Sequence, residues 1–430
     1  MVAAAETLLC GSSIGSLTAP VPTLVSVDDI EVARERLAPV IRLTPVDESE
    51  PVSDLVGRPV LLKAEHTQRT GSFKIRGAYN RISQLHPSER RAGVVAASAG
   101  NHAQGVALAA SLLGVQATIF MPEAAPLPKI EATRAYGAHV VLGGHVFDDA
   151  LAAARSLAEK TGATFVSPFD DPAVIAGQGT LGLELAEQAP EAGTYVVAVG
   201  GGGLISGVAA ALKARRPGCR VVGVEAEGAA SMSAALAAGR PVALPRLDTM
   251  ADGIANKIVS DLTLGHVQAL VDEVVTVSEE DLSRALLMLL ERAKTLVEPA
   301  GAAPLAAVLA GRVDGGMSSH RSAEPVCLVL SGGNVDPTLL MRVIRHGLSA
   351  AGRYLLVRVL LPDRPGELHR LLGVLAGLGL NVVDVDHRRT GIDLPIDEAE
   401  VHLTLETRDP AHRAEVLAAL AAAGYRAEMR

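Results

Sequence analysis

Short runs of valine, alanine and leucine alternate along the chain with longer segments whose apolar residues recur at helical spacing. The short runs predict buried strands, and the longer segments predict helices. Strands are predicted over residues 94–97, 117–121, 139–142, 195–199, 220–224, 274–277 and 326–330. Helices are predicted over residues 103–113, 127–136 and 148–160, after a first helix that runs from a Ser26–Asp29 capping box to Leu37. This order is typical of βαβ units, so we expect an α/β fold of two parallel-sheet lobes with a cleft between them.

The pattern changes near Arg353. Strands are predicted over residues 354–361, 381–387 and 400–406 and after Tyr425, and helices over residues 367–378 and 411–422. This βαββαβ order is that of the ferredoxin-like motif. Residues 311–324, rich in glycine, serine and charge, predict a surface loop, and residues 347–352 predict a linker. The expected domains are a disordered leader over 1–25, a main region over 26–348 with a small lobe inserted at about 93–167, a linker over 349–353 and a tail domain over 354–430.

Composition narrows the class of protein. The chain is 49% hydrophobic and 20% charged, with five Phe, five Tyr and no Trp, which favours an α/β fold over a β-sandwich. A net charge of -9 argues against a nucleic-acid partner. Three scattered cysteines suit a reducing compartment, and the lack of an apolar run of about 20 residues argues against a membrane span. The apolar N-terminal residues lack a basic segment, so a leader is favoured over a signal peptide and a cytoplasmic location is expected.

Four short motifs carry the chemistry. The run Thr-Gly-Ser-Phe-Lys-Ile-Arg-Gly-Ala over residues 70–78 places Lys74 in the first turn of a helix. The positive end of a helix favours a neutral amine, so Lys74 suits phosphate binding or a Schiff base, unless it is an exposed surface lysine. Residues 97–105, 200–204 and 331–334 each follow a strand with glycine-rich or small polar sequence that could wrap an anion. Ligands of open α/β sheets bind at such strand ends.

Together these motifs resemble the fold-type-II pyridoxal-phosphate enzymes, and most closely their threonine ammonia-lyase and serine racemase branch. The resemblance also includes Ala-Gly-Gln-Gly-Thr at residues 176–180 and Glu-Pro-Ala-Gly at residues 298–301. It covers roughly Ser26 to Leu348. It implies a pyridoxal 5'-phosphate cofactor and the two-lobed, parallel-sheet architecture of that fold type.

The resemblance also implies a role for each motif residue. Lys74 would form the Schiff base, Phe73 would pack beside the cofactor ring, and Asn101 would donate to its phenolic oxygen. Ser331 would bond the pyridine nitrogen, Gly253 would line the cofactor within residues 251–254, and Glu298 would lie near the ring. The phosphate would be held by the main chain of Gly200, Gly201, Gly202, Gly203 and Leu204. The substrate carboxylate would be held by Ser98, Asn101 and His102.

These residue types favour elimination. A serine hydroxyl at the pyridine nitrogen cannot hold a full positive charge, which favours prompt loss of a β-hydroxyl. Lys74 is the base expected to take the α-proton. The expected reaction is the deamination of L-threonine and L-serine to 2-oxobutanoate and pyruvate. Serine racemases carry a serine where Ala99 stands, so we expect little racemisation.

No metal is expected. The branch has a divalent-cation site with two carboxylates after the glycine loop. Glu225 matches the first carboxylate, but Ser231 stands where the second is expected. One carboxylate with neutral oxygens makes a weak divalent site.

The turn at residues 363–368 resembles the ligand loop of ACT domains, which bind free amino acids at a dimer interface; the alternative is a plain Pro-Gly turn. The predicted effector residues are Asp363, Arg364, Pro365, Gly366 and Leu368. We expect an amino-acid effector, namely isoleucine, with valine as its opponent. We also expect a role in isoleucine biosynthesis and a homodimer or homotetramer.

Three other functions compete with this interpretation. A Rossmann dehydrogenase would use the loop at residues 200–203 with Glu225 as the ribose acid, but Ser206 occupies the third glycine position of that motif. A β-replacement or other β-elimination enzyme of the same fold, such as a cysteine or threonine synthase, is closer. A catalytically inactive sensor built on the tail is the third.

Overall fold

The computed structural model describes residues 23–313, 324–350, 352–389 and 394–429. Most of the predicted leader and most of the predicted loop over 311–324 lie outside these ranges. The strands are β1 Val46–Glu48, β2 Val60–Lys63, β3 Val94–Ala97, β4 Ala117–Met121, β5 His139–Leu142, β6 Thr164–Phe165, β7 Thr194–Ala198, β8 Arg220–Ala226, β9 Glu273–Val277, β10 Val326–Val329, β11 Tyr354–Pro362, β12 Val382–Arg388, β13 Glu398–Glu406 and β14 Arg426–Met429.

Helices join these strands, as the sequence pattern predicts. They are α1 Val27–Leu37, α2 Glu50–Val56, α3 Lys74–Ser83, α4 Pro87–Ala92, α5 Asn101–Leu112, α6 Leu127–Ala135, α7 Phe147–Thr161, α8 Pro172–Gln188, α9 Gly203–Arg215, α10 Ser231–Ala238, α11 Asp261–Leu270, α12 Glu279–Glu291, α13 Pro299–Leu309, α14 Pro337–Ala350, α15 Glu367–Gly377 and α16 Pro410–Ala422. The predicted Ser26–Asp29 capping box is present at the start of α1.

The larger sheet has the strand order β1-β2-β10-β7-β8-β9. All its neighbouring pairs are parallel except β1 with β2. Alternate residues of β7 and β8 point to opposite faces, where one set packs with α8 and α9 and the other with α12 and α13. Burial on both faces explains why these strands are continuous apolar runs rather than alternating ones.

The smaller sheet has the order β5-β4-β3-β6 and is parallel throughout. One face packs against α3 and α5, and the other packs against α7. Because α3 follows β2 of the larger sheet, it links the cores of the two lobes. The carboxyl ends of β3, β7 and β10 carry the glycine-rich motifs.

Glycines let three helices approach backbone to backbone. A Cβ atom on Gly177 of α8 would lie 2.6 Å from the Arg76 carbonyl oxygen of α3, and one on Gly182 would lie 2.6 Å from the Val208 carbonyl oxygen of α9. Any larger residue at these positions would push the helices apart. Within the Ala-Gly-Gln-Gly-Thr run at residues 176–180, a Cβ on Gly179 would also lie 3.0 Å from the Gly207 carbonyl oxygen of α9, so the run is a packing element between α3, α8 and α9.

A buried ion cluster joins the same helices to β2. Arg76 is fully buried and donates two hydrogen bonds to Glu65, at 2.9 Å each, and two to Glu184, at 2.7 and 3.0 Å. Lys63 donates to Glu184 at 2.6 Å and to the Thr44 carbonyl oxygen at 2.7 Å. Burial opposes the charge on Arg76, but the two carboxylates outweigh it and raise the pKa of Arg76. These bonds give Lys63 a structural role in the cluster.

The tail has the predicted βαββαβ order. Its antiparallel sheet has the strand order β12-β13-β11-β14, and a core of alternate residues of β11 and β13 packs against α15 and α16. Before the tail, α14 continues as helix to Ala350 and so includes residues 347–350 of the segment 347–352 predicted as linker. Apolar residues at helical spacing extend α14 across Gly347, although a glycine weakens a helix.

Among the described residues, no helix combines the length and apolar character needed to cross a bilayer.

Candidate active site

A cavity of about 420 Å³ opens at the carboxyl ends of β3, β7 and β10, where α3, α5 and α9 begin. Every residue predicted to bind the cofactor or the substrate carboxylate contributes to its lining. These residues are Phe73, Lys74, Ser98, Asn101, His102, Gly200, Gly201, Gly202, Gly203, Leu204, Gly253, Glu298 and Ser331. The structure therefore brings together motifs that are up to 258 positions apart, from Phe73 to Ser331.

Lys74 is the first residue of α3 and points into the cavity. Its Nζ donates to the Pro168 carbonyl oxygen at 3.2 Å and lies 5.0 Å from the centre of the Phe73 ring. Burial lowers the pKa of Lys74 to about 8, against the opposing effect of the Glu298 carboxylate. A half-buried lysine with this pKa has an appreciable neutral fraction near pH 7 to 8, and a neutral amine can act as a nucleophile or a base.

The glycine loop at residues 200–203 forms a close-fitting cradle. Gly202 has a φ of +90° and caps α9, so its conformation favours glycine. A Cβ on Gly200 would lie 2.6 Å from Asn256 Oδ1, and one on Gly203 would lie 2.8 Å from the Phe169 Cα. The first N–H groups of a helix lack intrahelical partners and attract anions. The loop fits a phosphate group held by main-chain amides.

The turn at residues 331–334 is bonded directly to the segment that carries Lys74. The Phe73 N–H donates to the Ser331 carbonyl oxygen at 3.1 Å, and the Gly333 N–H donates to the Gly71 carbonyl oxygen at 2.9 Å. Ser331 is only 3% exposed and lines the cavity beyond the end of β10. These bonds set the position of the Ser331 hydroxyl relative to Lys74.

Three polar side chains form a chain of hydrogen bonds along one wall. Asn101 Nδ2 donates to Glu298 Oε1 at 2.7 Å, and Asn334 Nδ2 donates to Asn101 Oδ1 at 2.8 Å. Asn334 Nδ2 also donates to the Thr70 carbonyl oxygen at 2.7 Å. Asn334 closes the turn motif at residues 331–334, but its sequence position predicts no role for it.

Burial raises the pKa of the Glu298 carboxyl to about 7, and the nearby Asp252 carboxylate adds to this effect. The hydrogen bond from Asn101 and the charges of Lys129 and Lys74 act in the opposite direction. Glu298 therefore changes its charge close to neutral pH, beside the amine of Lys74.

Glu298→Gln should make the cofactor-free protein more stable than the wild type at pH 8, by about 1–3 kcal/mol. The raised pKa of Glu298 favours its protonated form in the folded state, so this stabilisation is present at low pH and is lost as the pH rises through about 7. Glutamine stays neutral throughout. Urea unfolding at pH 4.5 and pH 8 measures the difference, with the exposed Glu187→Gln as control. A gain equal at both pH values would contradict the assignment.

His102 offers less to a ligand than its place in the motif suggests. Its Nε2 donates to the Val166 carbonyl oxygen at 2.8 Å, and the residue is buried. Burial, together with the charge on Lys74, lowers the pKa of His102 to about 3, so the ring is neutral. His102 can therefore bind a carboxylate through its main-chain N–H, which lies in the first turn of α5. Ser98 Oγ lies at the same end, where it accepts from the Gly100 N–H at 3.1 Å.

Glu225 is engaged in capping a helix. Its carboxylate accepts from the Met232 N–H at 2.7 Å, from the Ser233 N–H at 2.9 Å and from the Ser233 hydroxyl at 2.6 Å. Within the described ranges, no group of three His, Cys, Asp or Glu side chains is arranged to hold a metal ion. The buried, fully bonded Glu225 also cannot serve as the ribose acid of a dehydrogenase.

The predicted effector turn lies in the tail, between β11 and α15. Asp363 Oδ1 accepts from Arg389 Nη2 at 2.6 Å, and Gly366, with a φ of +92°, caps α15. Leu368 packs partly buried against the core of the tail. None of these residues lines the cavity described above.

Comparison with known proteins accounts for both parts of the chain. The family described as "Pyridoxal-phosphate dependent enzyme" matches residues 37–332. The chain belongs to this family. The pyridoxal-phosphate dependent enzyme also carries an ACT domain, which matches residues 355–424. The cradle of glycines and the cavity lysine with its lowered pKa fit a cofactor that has a phosphate and an aldehyde.

Relatives of this pyridoxal-phosphate dependent enzyme share most of its length. It is 48% identical to an L-threonine ammonia-lyase of Thermotoga maritima over 94% of this chain and 98% of that protein. The solved processed form of threonine deaminase isoform 2 from Solanum lycopersicum is 38% identical, with a TM-score of 0.69, over 79% of this chain and 99% of that one. The solved serine racemase of maize is 39% identical, with a TM-score of 0.71, over 76% of this chain and 99% of that one.

Proposed function

We propose that this enzyme deaminates L-threonine, and L-serine as a second substrate, to 2-oxobutanoate or pyruvate and ammonia. The observation that carries the proposal is the cavity that unites Lys74, the glycine cradle and Ser331. The 48% identity to the L-threonine ammonia-lyase of Thermotoga maritima, over nearly the whole of both chains, supports the substrate.

Different residues of the cavity would hold different parts of the cofactor. Lys74 would carry it covalently, the amides of Gly200 to Leu204 would hold its phosphate, and Asn101 would donate to its phenolic oxygen. Phe73 would pack beside the ring, with Gly253 and Glu298 near it. Ser331 would accept or donate at the pyridine nitrogen as a neutral hydroxyl. Pyridoxal phosphate supplies an electron sink at the substrate's α-carbon when bound.

The protein groups then bind the substrate and move its proton. The Ser98 hydroxyl, the Asn101 region and the His102 N–H lie at the start of α5, which suits a carboxylate. Lys74, with its pKa lowered to about 8, takes the α-proton. Ala99 has no proton to give from the opposite side. This favours loss of the β-hydroxyl over inversion.

The test is a substrate assay with the purified, cofactor-loaded chain. L-Threonine should yield equal amounts of 2-oxobutanoate and ammonia, and L-serine should yield pyruvate at a lower rate. D-Serine production should be minor. A β-replacement enzyme of the same fold would release little ammonia, and with an added thiol or other nucleophile it would form a new β-substituted amino acid that keeps the amino group. An inactive sensor would release none and would show no cofactor absorbance.

For the tail, we infer amino-acid regulation through residues 363–368. The open turn at Asp363 to Gly366 and the start of α15 would take the effector's carboxylate, with Leu368 beside its side chain. The proposed effector is isoleucine, opposed by valine, and the proposed role is in isoleucine biosynthesis. The proposal also includes a homodimer or homotetramer and a cytoplasmic location.

Truncation after Ala350 should leave an active lyase that no longer responds to amino-acid effectors. Cutting there keeps all of α14, which packs against α12. The solved Solanum lycopersicum protein matches only 79% of this chain, yet 99% of its own length is covered. In the full chain, isoleucine should change the apparent KM or kcat by about 5–150-fold, the usual range of allosteric coupling.

Isoleucine titrations of the full and truncated forms, with thermal unfolding to verify folding, make the comparison. An equal response from the truncated form would move the effector site into the lobes.

A further inference from the structure

Asn334 connects three parts of the cavity wall through one amide group. Its Nδ2 donates to the Thr70 carbonyl oxygen, which belongs to the segment before Lys74, and to Asn101 Oδ1 at the start of α5. A carbonyl oxygen only accepts hydrogen bonds, so the Asn334 atom that faces Thr70 must be the nitrogen. Both N–H groups of Asn334 are then committed.

The orientation of Asn101 follows from this commitment. Because Asn334 presents a donor, the Asn101 atom that faces it must be the oxygen. The Asn101 nitrogen therefore points the other way, where one N–H reaches Glu298 Oε1 at 2.7 Å. Its second N–H is left for a ligand in the cavity. A backbone carbonyl thus determines, through two amides in series, where a donor faces the cofactor pocket.

Backbone atoms of the neighbouring turn fix the position of the Asn334 side chain. Gly71 has a φ of +71°, and a Cβ there would lie 2.5 Å from Asn334 Oδ1 and 3.2 Å from Nδ2. The Gly333 N–H donates to the Gly71 carbonyl oxygen at 2.9 Å. The amide of Asn334 is therefore held against backbone on one side and against Asn101 on the other.

We propose that Asn334 is a positioning residue for the reaction, because it holds the Asn101 amide with its nitrogen toward Glu298 and the cofactor. This inference rests on the proposed function, in which Asn101 donates to the cofactor's phenolic oxygen. The hydrogen bonds of Asn101 with Asn334 and Glu298 also join the two lobes across the cleft. Asn101 follows β3 of the smaller sheet, whereas Asn334 and Glu298 belong to the lobe of the larger sheet, so the correct amide orientation depends on the two lobes being in place.

Asn334→Asp is the most informative variant, since it keeps the shape and removes both donors. The carboxylate would face the Thr70 carbonyl oxygen and Asn101 Oδ1, and the repulsion is relieved if the Asn101 amide turns over. Its oxygen would then face Glu298 and the cofactor. Asn334→Ala removes the donors without adding charge. Asn80→Asp is the matched control, because Asn80 also donates to a carbonyl oxygen, that of Ala173 at 2.7 Å, but lies outside the cavity.

The readouts are the absorbance of the bound cofactor between pH 6 and 9, the affinity of the cofactor-free protein for pyridoxal phosphate, and kcat. Asn334→Asp and Asn101→Ala should change the absorbance in the same direction and each lower kcat roughly tenfold, the effect of one lost hydrogen bond to a charged group. The double variant Asn334→Asp/Asn101→Ala should lower kcat far less than the product of the two single fold-losses. Asn80→Asp should lower the unfolding temperature without changing the absorbance.

Two results would overturn the inference while leaving the proposed function intact. One is an unchanged absorbance and kcat in both Asn334 variants when Asn101→Ala changes them. The other is a double variant whose losses multiply, which would mean that Asn334 acts independently of Asn101. An unchanged absorbance in Asn101→Ala would instead remove the role proposed for Asn101, and this inference with it.

Discussion

Replacing Lys74 with alanine should reduce ammonia release from L-threonine by at least about a thousandfold, because the variant loses both the covalent attachment point and the base for the α-proton. The folded structure should survive. Lys74 is the first residue of α3, and its amine donates to the Pro168 carbonyl oxygen and lies over the Phe73 ring. The variant should also lack the absorbance band of covalently bound cofactor.

Borohydride reduction identifies the attachment site directly. In the wild type, reduction followed by peptide mapping should place the cofactor on the peptide that contains Lys74. Lys213→Ala is the control, since this lysine pairs with Asp272 at the surface at 2.7 Å, and its loss should leave the rate within about twofold. Label on another lysine, or substantial turnover by Lys74→Ala, would refute the assignment.

Arg76→Met should lower the free energy of unfolding by about 3–5 kcal/mol, because it leaves the Glu65 and Glu184 carboxylates buried with only Lys63 to balance them. Both carboxylates accept paired hydrogen bonds from Arg76, and the side chains of Arg76 and Glu65 are fully buried. Water cannot replace the lost partner, so the cost is that of unpaired buried charge rather than of one hydrogen bond.

Urea unfolding of the cofactor-free protein measures this loss. Arg34→Met is the matched control, because Arg34 pairs with Glu187 at 2.7 Å but with both side chains exposed. An exposed pair contributes about 0–1 kcal/mol. Equal losses in the two variants would show that the buried cluster adds no more than a surface pair does.

The sequence predicted the parts of the fold that depend on local pattern. The strands from β3 to β5 and from β7 to β10 are found within two residues of the predicted ends, because buried parallel strands are continuous apolar runs with turns at their ends. The elements of the tail are found equally close to their predicted ends, and the buried residues of its antiparallel strands β11 and β13 alternate with less buried ones. The convergence of the motif residues on one cavity was also predictable, since Lys74 and the loop at residues 200–203 each violate ordinary helix or loop preferences and the motifs follow strand ends.

What the sequence did not reveal depends on contacts between distant residues. Arg76 and Glu184 are 108 positions apart, and Asn334 and Asn101 are 233 apart, so nothing local marks either pair. The His102 ring donates to the Val166 carbonyl oxygen, and the sequence motif around His102 does not reveal this hydrogen bond. The continuation of α14 past Gly347 was not predicted either, because it depends on packing against α12 rather than on the local sequence.

The glycine contacts between α3, α8 and α9 also have a mechanical consequence. Lys74 begins α3, and the cradle begins α9, so the two ends of the cofactor would be held by helices whose spacing is set by backbone atoms. Side chains change rotamer within nanoseconds, but a backbone-to-backbone contact has no such freedom. The distance between the two anchor points should therefore stay constant when the side chains around the cavity change rotamer.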